Sequence, residues 1–206
     1  MAGRFSISIS MFLLGSCVLA PQTAIVERSK EQRPAWVELS SSQAVVGDDL
    51  VQFHGTNDRQ PDLPLGIKLT QSSTLEGSET GITGLVRAQI DDIAVSKKTP
   101  EAVLKSPETE SAIVEAVKRS HGRHGKVVDI YYERHQSLVK TATNPEVETD
   151  GDFYVIHVLV QYPKEQIPAV VVDIGRVLQK SRNADVKRFG QVLSTPANQL
   201  SHQVSH

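Results

Sequence analysis

The stretch FYVIHVLVQY, residues 153–162, decides the fold of this chain. β-branched and aromatic residues fill it, and such residues favour strands. Because alternate side chains of a strand point to opposite faces, one face receives only apolar and aromatic residues, and we expect that face to pack on helices. Its members are Tyr154, Ile156, Val158, Val160 and Tyr162, and those of the other face are Phe153, Val155, His157, Leu159 and Gln161.

A second strand, VVDIYYERH at residues 127–135, precedes this stretch. Two turn signals, Asn144-Pro145 and Asp150-Gly151, lie between the strands. The pattern predicts a long antiparallel hairpin with a connecting loop at residues 141–152. Nearer the N-terminus, residues 45–55 predict a further strand with a bend at residues 47–49, followed by a polar loop at residues 57–64.

Apolar residues at helical spacing predict a helix over residues 73–95. Gly77, Gly81, Gly84 and Ala88 form a second stripe of small residues along it. Since each glycine in a helix costs about 1 kcal/mol relative to alanine, the stripe indicates that a sheet packs closely under this face. The alternative is that the first half of the segment is not helical.

Two more helices follow the rules of helix ends. Ser106 is placed to cap a helix whose first residue is Pro107, and Gly122 is placed to end it. A short extra turn is expected upstream, at residues 99–101. The last helix starts near Pro168 and presents an apolar stripe made of Ile167, Val170, Val171, Ile174, Val177 and Leu178.

These elements predict an α+β fold, in which a small antiparallel β-sheet packs against two or three helices. We place the domain at residues 34–182, with Trp36 as a core plug near its start. Residues 183–206 are polar without a sustained period, so we expect a flexible tail there. The alternative is one more marginal helical turn within that tail.

The N-terminus has the pattern of an exported protein. Arg4 and the amino terminus precede an apolar run too short to span a bilayer, and Leu14-Gly15-Ser16-Cys17 resembles the lipobox of bacterial lipoproteins. We interpret residues 1–16 as a signal peptide, Cys17 as the lipidated residue and residues 17–33 as a tether. Ordinary cleavage after Ala20, or an uncleaved anchor, are the alternatives.

Lipid on Cys17 would hold the protein at a membrane, because each buried methylene contributes about 0.8 kcal/mol and two acyl chains give stable attachment. Val18 follows the cysteine, where aspartate often marks inner-membrane retention, so we expect the outer membrane and a domain that faces the periplasm. The formal net charge of -2 argues against nucleic acid as a partner. With Cys17 as the single cysteine, the fold has no disulfide.

Four landmarks stand out along the chain: Pro34-Ala-Trp36-Val, the helix with small residues, Tyr131-Tyr132-Glu133, and VLVQYPKE at residues 158–165. Together they resemble the LPP20 lipoprotein family and the N-terminal module of the flagellar assembly protein FlgT. The resemblance implies a curved antiparallel sheet packed on helices in a dodecin-like arrangement, a location in the cell envelope and, for some relatives, a place near the flagellar base. It supplies no catalytic residues.

Histidines are the one chemical oddity of the sequence. His121 and His124 end the second helix, and His135 and His157 lie on the strands. We interpret the first pair as ordinary solvated histidines of a basic loop, with a loop that binds an anionic partner as the alternative, and we expect neither a metal nor a cofactor. The loop comprises Arg119, His121, Arg123, His124 and Lys126.

Motifs for nucleophilic, phosphate-binding and zinc-dependent catalysis are absent from the sequence, so we do not expect an enzyme. The favoured function is a membrane-anchored envelope lipoprotein that acts as a non-catalytic binding or scaffolding module, with another envelope protein as partner. A structural component of flagellar assembly and a soluble periplasmic carrier of metal or small ligands are the alternatives. Homo-oligomer formation is left open.

Overall fold

A computed structural model describes residues 22–39, 44–141 and 144–195. Its centre is one antiparallel sheet with the strand order β1-β4-β5-β3-β2. The α+β class with an antiparallel sheet packed on helices is thus confirmed. The strands are β1 Gln22–Arg28, β2 Val45–Val46, β3 Leu50–Gln60, β4 Lys126–Thr141 and β5 Asn144–Pro163. The helices are α1 Leu63–Ser96, α2 Glu101–Leu104, α3 Pro107–His124, α4 Gln166–Leu178 and α5 Ala184–Leu193.

The predicted face of β5 is the core face of the sheet. Val158, Val160 and Tyr162 are fully buried and join the hydrophobic core with residues of α1, α3, α4 and α5. Ile156 is also fully buried, whereas Tyr154 is half-buried. Alternation along this single strand therefore orients the whole sheet.

The hairpin is longer than the sequence predicts. Residues 144–152, placed in the connecting loop, belong to β5 and pair with β4. The Asp150-Gly151 signal marks a register irregularity opposite residues 136–138, and Gly151 has a positive φ of 101°. Glycine tolerates that backbone angle, so the dipeptide forms a bulge within the strand instead of a turn.

α1 begins ten residues earlier than predicted, at Leu63. Asp62 caps it by accepting a hydrogen bond from the Leu65 backbone nitrogen at 2.7 Å. The polar segment at residues 57–64, predicted as a loop, is divided between the end of β3 and the start of this helix. The alternative of a non-helical first half is wrong.

Only part of the stripe of small residues packs closely against the sheet, whereas the sequence predicts this for all of it. A Cβ added to Gly81 would lie 2.3 Å from Phe53 Cε1, so a close approach to the sheet exists there. A Cβ on Gly77 or Gly84 would meet nothing within 4 Å. The buried positions of α1 recur every fourth residue, at Gly66, Thr70, Thr74, Ser78, Ile82, Val86, Ile90 and Ala94.

α3 starts as predicted, because the Ser106 side chain accepts a hydrogen bond from the Thr109 nitrogen at 3.2 Å and Pro107 is the first helical residue. It does not end at Gly122 but continues to His124, and Gly125 is its C-cap. The short upstream turn is α2, and the apolar stripe of the last predicted helix is α4.

The predicted flexible tail is wrong for residues 183–195. Asn183 caps α5, and this helix packs across α4 at a pair of glycines. A Cβ on Gly175 would lie 2.6 Å from the Ser194 nitrogen, and a Cβ on Gly190 would lie 2.6 Å from the Gln179 nitrogen. The helix buries Val186, Phe189 and Leu193, so the domain extends beyond residue 182. Residues 196–206 lie outside the described structure.

The predicted tether is also shorter than expected. Gln22–Arg28 forms the edge strand β1, which pairs with β4, so the domain begins before Pro34. Residues 29–39, which we call the strap, then cross the face of the sheet opposite the helices and include the 3-10 turn Ala35–Glu38. Cys17 and the signal peptide lie outside the described residues. In the described part of the chain, no helix is both long enough and apolar enough for a bilayer crossing.

Candidate functional site

The first half of α1 lies directly on β3. A Cβ added to Gly55 would be 1.8 Å from Thr74 Oγ1, so this strand position has room for glycine alone. Thr74 and Ser78 direct their hydroxyls back to carbonyl oxygens of their own helix, at 2.6 and 2.8 Å. Small, internally satisfied side chains therefore let the helix backbone approach the strand.

A groove of 520 Å³ opens beside this crossing. Four consecutive residues of β3 line it, from Phe53 to Thr56. Because consecutive strand residues point to opposite faces, a cavity that touches four in a row runs along the strand's edge. The opposite wall belongs to α1, and we call this space the edge groove; its helical lining is Ser73, Thr74, Gly77, Ser78, Thr80 and Gly81.

Strand pairing leaves this edge open within the described ranges. β2 pairs with β3 only at Val51 and Gln52, whereas β5 pairs with β3 from Leu50 onward along its other side. An open strand edge presents backbone N–H and C=O groups that another extended chain can use. The helical wall adds hydroxyls and two glycines, so the groove suits a polypeptide backbone with small side chains.

The strap rests on two carboxylates of β4. Asp129 accepts hydrogen bonds from Lys30 Nζ at 2.5 Å and from Trp36 Nε1 at 2.9 Å. Burial alone would raise the pKa of Asp129, but these two hydrogen bonds, a third from the Ile130 nitrogen and the charge of Lys30 together hold the pKa below its ordinary value. The strap is thus fastened by charge-assisted contacts.

Glu133 is the second carboxylate and is buried. It accepts a hydrogen bond from the Tyr131 hydroxyl at 2.8 Å and lies 3.9 Å from an Arg33 guanidinium nitrogen. Burial opposes its charge, yet the Tyr131 hydrogen bond and the Arg33 charge leave the pKa of Glu133 below its ordinary value. In turn, burial and then Glu133 raise the pKa of Tyr131 to about 12.

Two histidines continue this cluster under the strap. His54 Nδ1 lies 2.9 Å from the Leu39 carbonyl oxygen, and His54 Nε2 lies 3.1 Å from His157 Nδ1. The two rings stack at 5.2 Å, and Trp36 covers His54 edge-on at 5.6 Å. His157 Nε2 is buried and has no hydrogen-bond partner among the residues that the structure describes. Burial, followed by the charges of His54 and Arg33, lowers the pKa of His157 to about 4.

The predicted partner-binding loop is the end of a helix. Arg119, His121, Arg123 and His124 belong to the last turns of α3, and Lys126 begins β4. The loop prediction is wrong because α3 runs through Gly122. Arg119 lies 3.7 Å from Glu115, and together with Arg123 and His124 it lines a 120 Å³ cleft against α4.

The His121 side chain points into the interior of the protein. It is 6 % exposed, its Nε2 lies 2.7 Å from Ser78 Oγ, and its ring stacks on Tyr162 at 6.4 Å. Burial lowers its pKa. This residue is therefore a packing element between α1, α3 and β5.

The histidines do not form one cluster. His121 and His124 lie beside Tyr162 on the helical side, whereas His135 and His157 lie on the strap side with Glu133 and His54. In the described ranges, no three His, Cys, Asp or Glu side chains are grouped to hold a metal ion.

Sequence reasoning missed both the edge groove and the strap cluster. The sequence predicts a strand around His54 with no role for its side chain, and it predicts Trp36 in the core, whereas Trp36 is only half-buried on the strap. The signal that could have found the cluster is the shared face of His157 with the row Asp129, Tyr131, Glu133 and His135, which pairing across the hairpin brings together.

Comparison with known proteins gives no relative. The chain matches no family model, no curated protein and no solved structure. The resemblance to the LPP20 lipoproteins and to the FlgT module therefore remains a prediction from the sequence, and the function has to be argued from the groove and the N-terminus.

Proposed function

We propose that this protein is a lipid-anchored module of the bacterial envelope that binds an extended segment of another envelope protein in the edge groove. Catalysis is no part of the proposal. The observation that carries it is the edge of β3 beyond Gln52, which no strand of the described residues pairs; four consecutive strand residues line it and the small side chains of α1 face it.

The start of the fold supports a short link to the membrane. Five residue steps separate Cys17 from Gln22, where β1 begins. An extended chain covers at most about 3.6 Å per residue, so those steps span at most about 18 Å. A lipid on Cys17 would thus hold the sheet next to the bilayer instead of letting it drift on a long tether.

The register of the sheet sets where the groove would lie. Gln22 pairs at the level of Leu138 and Thr149, near the tip of the hairpin, whereas Gly55 pairs with Val158. Nine residues of β5 separate the two levels, which corresponds to roughly 30 Å along the strand. The anchored end and the groove are therefore well separated, and the groove would stay accessible to a partner in the periplasm.

Metabolic labelling with a fatty acid tests the anchor. We expect label on the wild-type chain and none on Cys17→Ala, which should also leave the membrane fraction. An unlabelled wild-type chain, or unchanged fractionation of Cys17→Ala, contradicts the anchor without touching the groove.

A pair of glycine variants tests the groove. Gly77 and Gly84 both have open space where a Cβ would be, but only Gly77 lines the groove. In affinity purification from native membranes, Gly77→Leu should lose the partner recovered with wild type, and Gly84→Leu should keep it. Equal recovery with both variants contradicts the proposal. Loss of stability in Gly77→Leu also contradicts it, since that would mean this chain fills its own groove.

A further inference from the structure

We propose that the strap is an acid-released latch, in which protonation of the buried His157 lifts residues 29–39 from the sheet while the rest of the fold stays intact. The strap spans 11 residues between β1 and the segment before β2, and its contacts converge on the cluster of His54, His157, Asp129 and Glu133.

The hydrogen-bond donors in the cluster can be assigned. A carbonyl oxygen only accepts, so His54 Nδ1 must carry the hydrogen that it shares with the Leu39 oxygen. With His54 neutral, its Nε2 is then an acceptor, and His157 Nδ1 donates to it. His157 Nε2 is therefore a bare acceptor that is buried and unpartnered.

That nitrogen is the place where an added proton would bind. The new N–H would carry a positive charge in a buried site with no acceptor within hydrogen-bond distance, which is costlier than an unpartnered lone pair. Lifting the strap admits water to the cluster and removes that cost. Protonation and strap release therefore favour one another.

The surrounding charges decide where on the pH scale this occurs. On the strap, the charge of Arg33 opposes protonation of His157, as would a charge on His54 of β3; on β4 and β3, Glu133 and Asp58 favour it. Tyr131, His135 and Arg28 contact Glu133 or the His157 ring, and the remaining charged groups of the cluster, Lys30 and Asp129, pair with each other. Because burial and repulsion outweigh the attraction of the carboxylates, His157 is uncharged near neutral pH. The closed strap is therefore the stable state there.

Release would also alter the edge groove, because His54 both lines that groove and holds Leu39. This consequence rests on the proposed function, whereas the release itself does not.

Trp36 is the only tryptophan of the chain and lies on the strap, so its fluorescence reports strap position. With the full-length chain in mild detergent, we expect the emission to shift to longer wavelength, with a midpoint between pH 6.5 and about 4. Far-UV circular dichroism should stay constant over this range. A shift that coincides with loss of circular dichroism, or no shift down to pH 4, overturns the proposal.

Variants test whether His157 is the residue whose protonation releases the strap. His157→Leu should abolish the shift, and His121→Leu should keep it, since both histidines are 6 % exposed but lie on opposite faces of the sheet. Lys30→Gln, at a partly exposed side chain, should move the midpoint to higher pH because it removes the strap's contact with Asp129 and leaves the charges that act on His157 in place. In wild type, exchange of the Val37 and Leu39 amide hydrogens should rise with the fluorescence shift. An unchanged midpoint in Lys30→Gln, or amides that stay protected through the shift, overturns the proposal even if His157→Leu fails to fold.

Discussion

In the first half of α1 the buried side of the helix is small or hydroxylated, and in the second half it is apolar. The first set is Gly66, Thr70, Thr74 and Ser78, and the second is Ile82, Val86, Ile90 and Ala94. Every member is nearly inaccessible to solvent, yet the first set lies over β3 and the edge groove while the second joins the hydrophobic core. The two halves of α1 are thus equally buried for different reasons. In the first half, small side chains let the helix backbone approach β3 closely, and in the second half, apolar side chains pack in the hydrophobic core.

Truncation in the apolar half should have the largest effect. Ile82→Ala leaves a cavity at a fully buried site of the core and should lower the free energy of unfolding by about 2–5 kcal/mol. Chemical denaturation at pH 7 measures this. Thr70→Ala, in the other half, provides the comparison, and an equal loss there would remove the distinction between the halves.

Acid should lower the free energy of unfolding, because the strap cluster buries His157. The pKa of His157 is about 4 in the folded protein against 6.5 for the free side chain. The unfolded state therefore binds the proton first as pH falls, so with the strap closed the contribution of His157 to stability is full above pH 6.5, is lost between pH 6.5 and about 4, and does not change further below that. The loss amounts to about 3 kcal/mol at 1.36 kcal/mol per pKa unit.

Urea denaturation at several pH values checks this decline. His157→Leu should flatten the dependence over that range. A wild-type stability independent of pH between 7 and 4 would contradict it.

Adding one methyl group to β3 should disturb the half with small residues. Gly55→Ala places a carbon against Thr74, which belongs to the helix and cannot swing away, so the helix must shift. Overpacking of this kind costs about 1–3 kcal/mol. Thermal unfolding measures it, and Gly84→Ala, with open space at its Cβ, is the control that should lose nothing.

Removing one hydroxyl from α1 should have a smaller effect. Ser78→Ala takes away the partner of His121 Nε2 and leaves that nitrogen buried, which costs about 1–2 kcal/mol. Ser73→Ala removes a comparable hydroxyl on a half-buried bond within the helix and should cost less. Denaturation curves of the two variants side by side test the difference, and equal losses would show that His121 needs no partner.

Filling the groove should have the least effect on stability. Gly77→Leu and Gly84→Leu should each stabilise α1 by about 0.5–1 kcal/mol, because leucine is a better helix former and neither Cβ meets a neighbour. Thermal unfolding of both variants provides the check. A fall in stability confined to Gly77→Leu would mean that the groove is packed.

Strong local patterns predicted the core of this fold. The alternation in residues 153–162 oriented the sheet, and Ser106-Pro107 located the start of α3. The errors arose where tertiary contacts decide. The glycines that let α5 cross α4 are 15 residues apart and have no local meaning, and an Asp-Gly pair suits a turn and a bulge equally well.

β1 was missed because charged residues at its end, Glu27 and Arg28, gave the segment the composition of a linker. Its order comes from pairing with β4, more than 100 residues away. The edge groove could not be predicted either, since it depends on which side of β3 lacks a neighbour, a property of the assembled sheet.

The direction of β1 determines how the molecule would bear tension. If the lipid holds the chain before Gln22 and a partner holds the groove, the two pulls act along the strand axis, at opposite ends of the sheet. The force then acts in shear on all the backbone hydrogen bonds between β1 and β4 at once, instead of breaking them one after another. A seven-residue strand pulled in this direction can separate only if all its backbone hydrogen bonds to β4 break together. Mechanical stress in the envelope would therefore be shared by all of these bonds before any one of them broke.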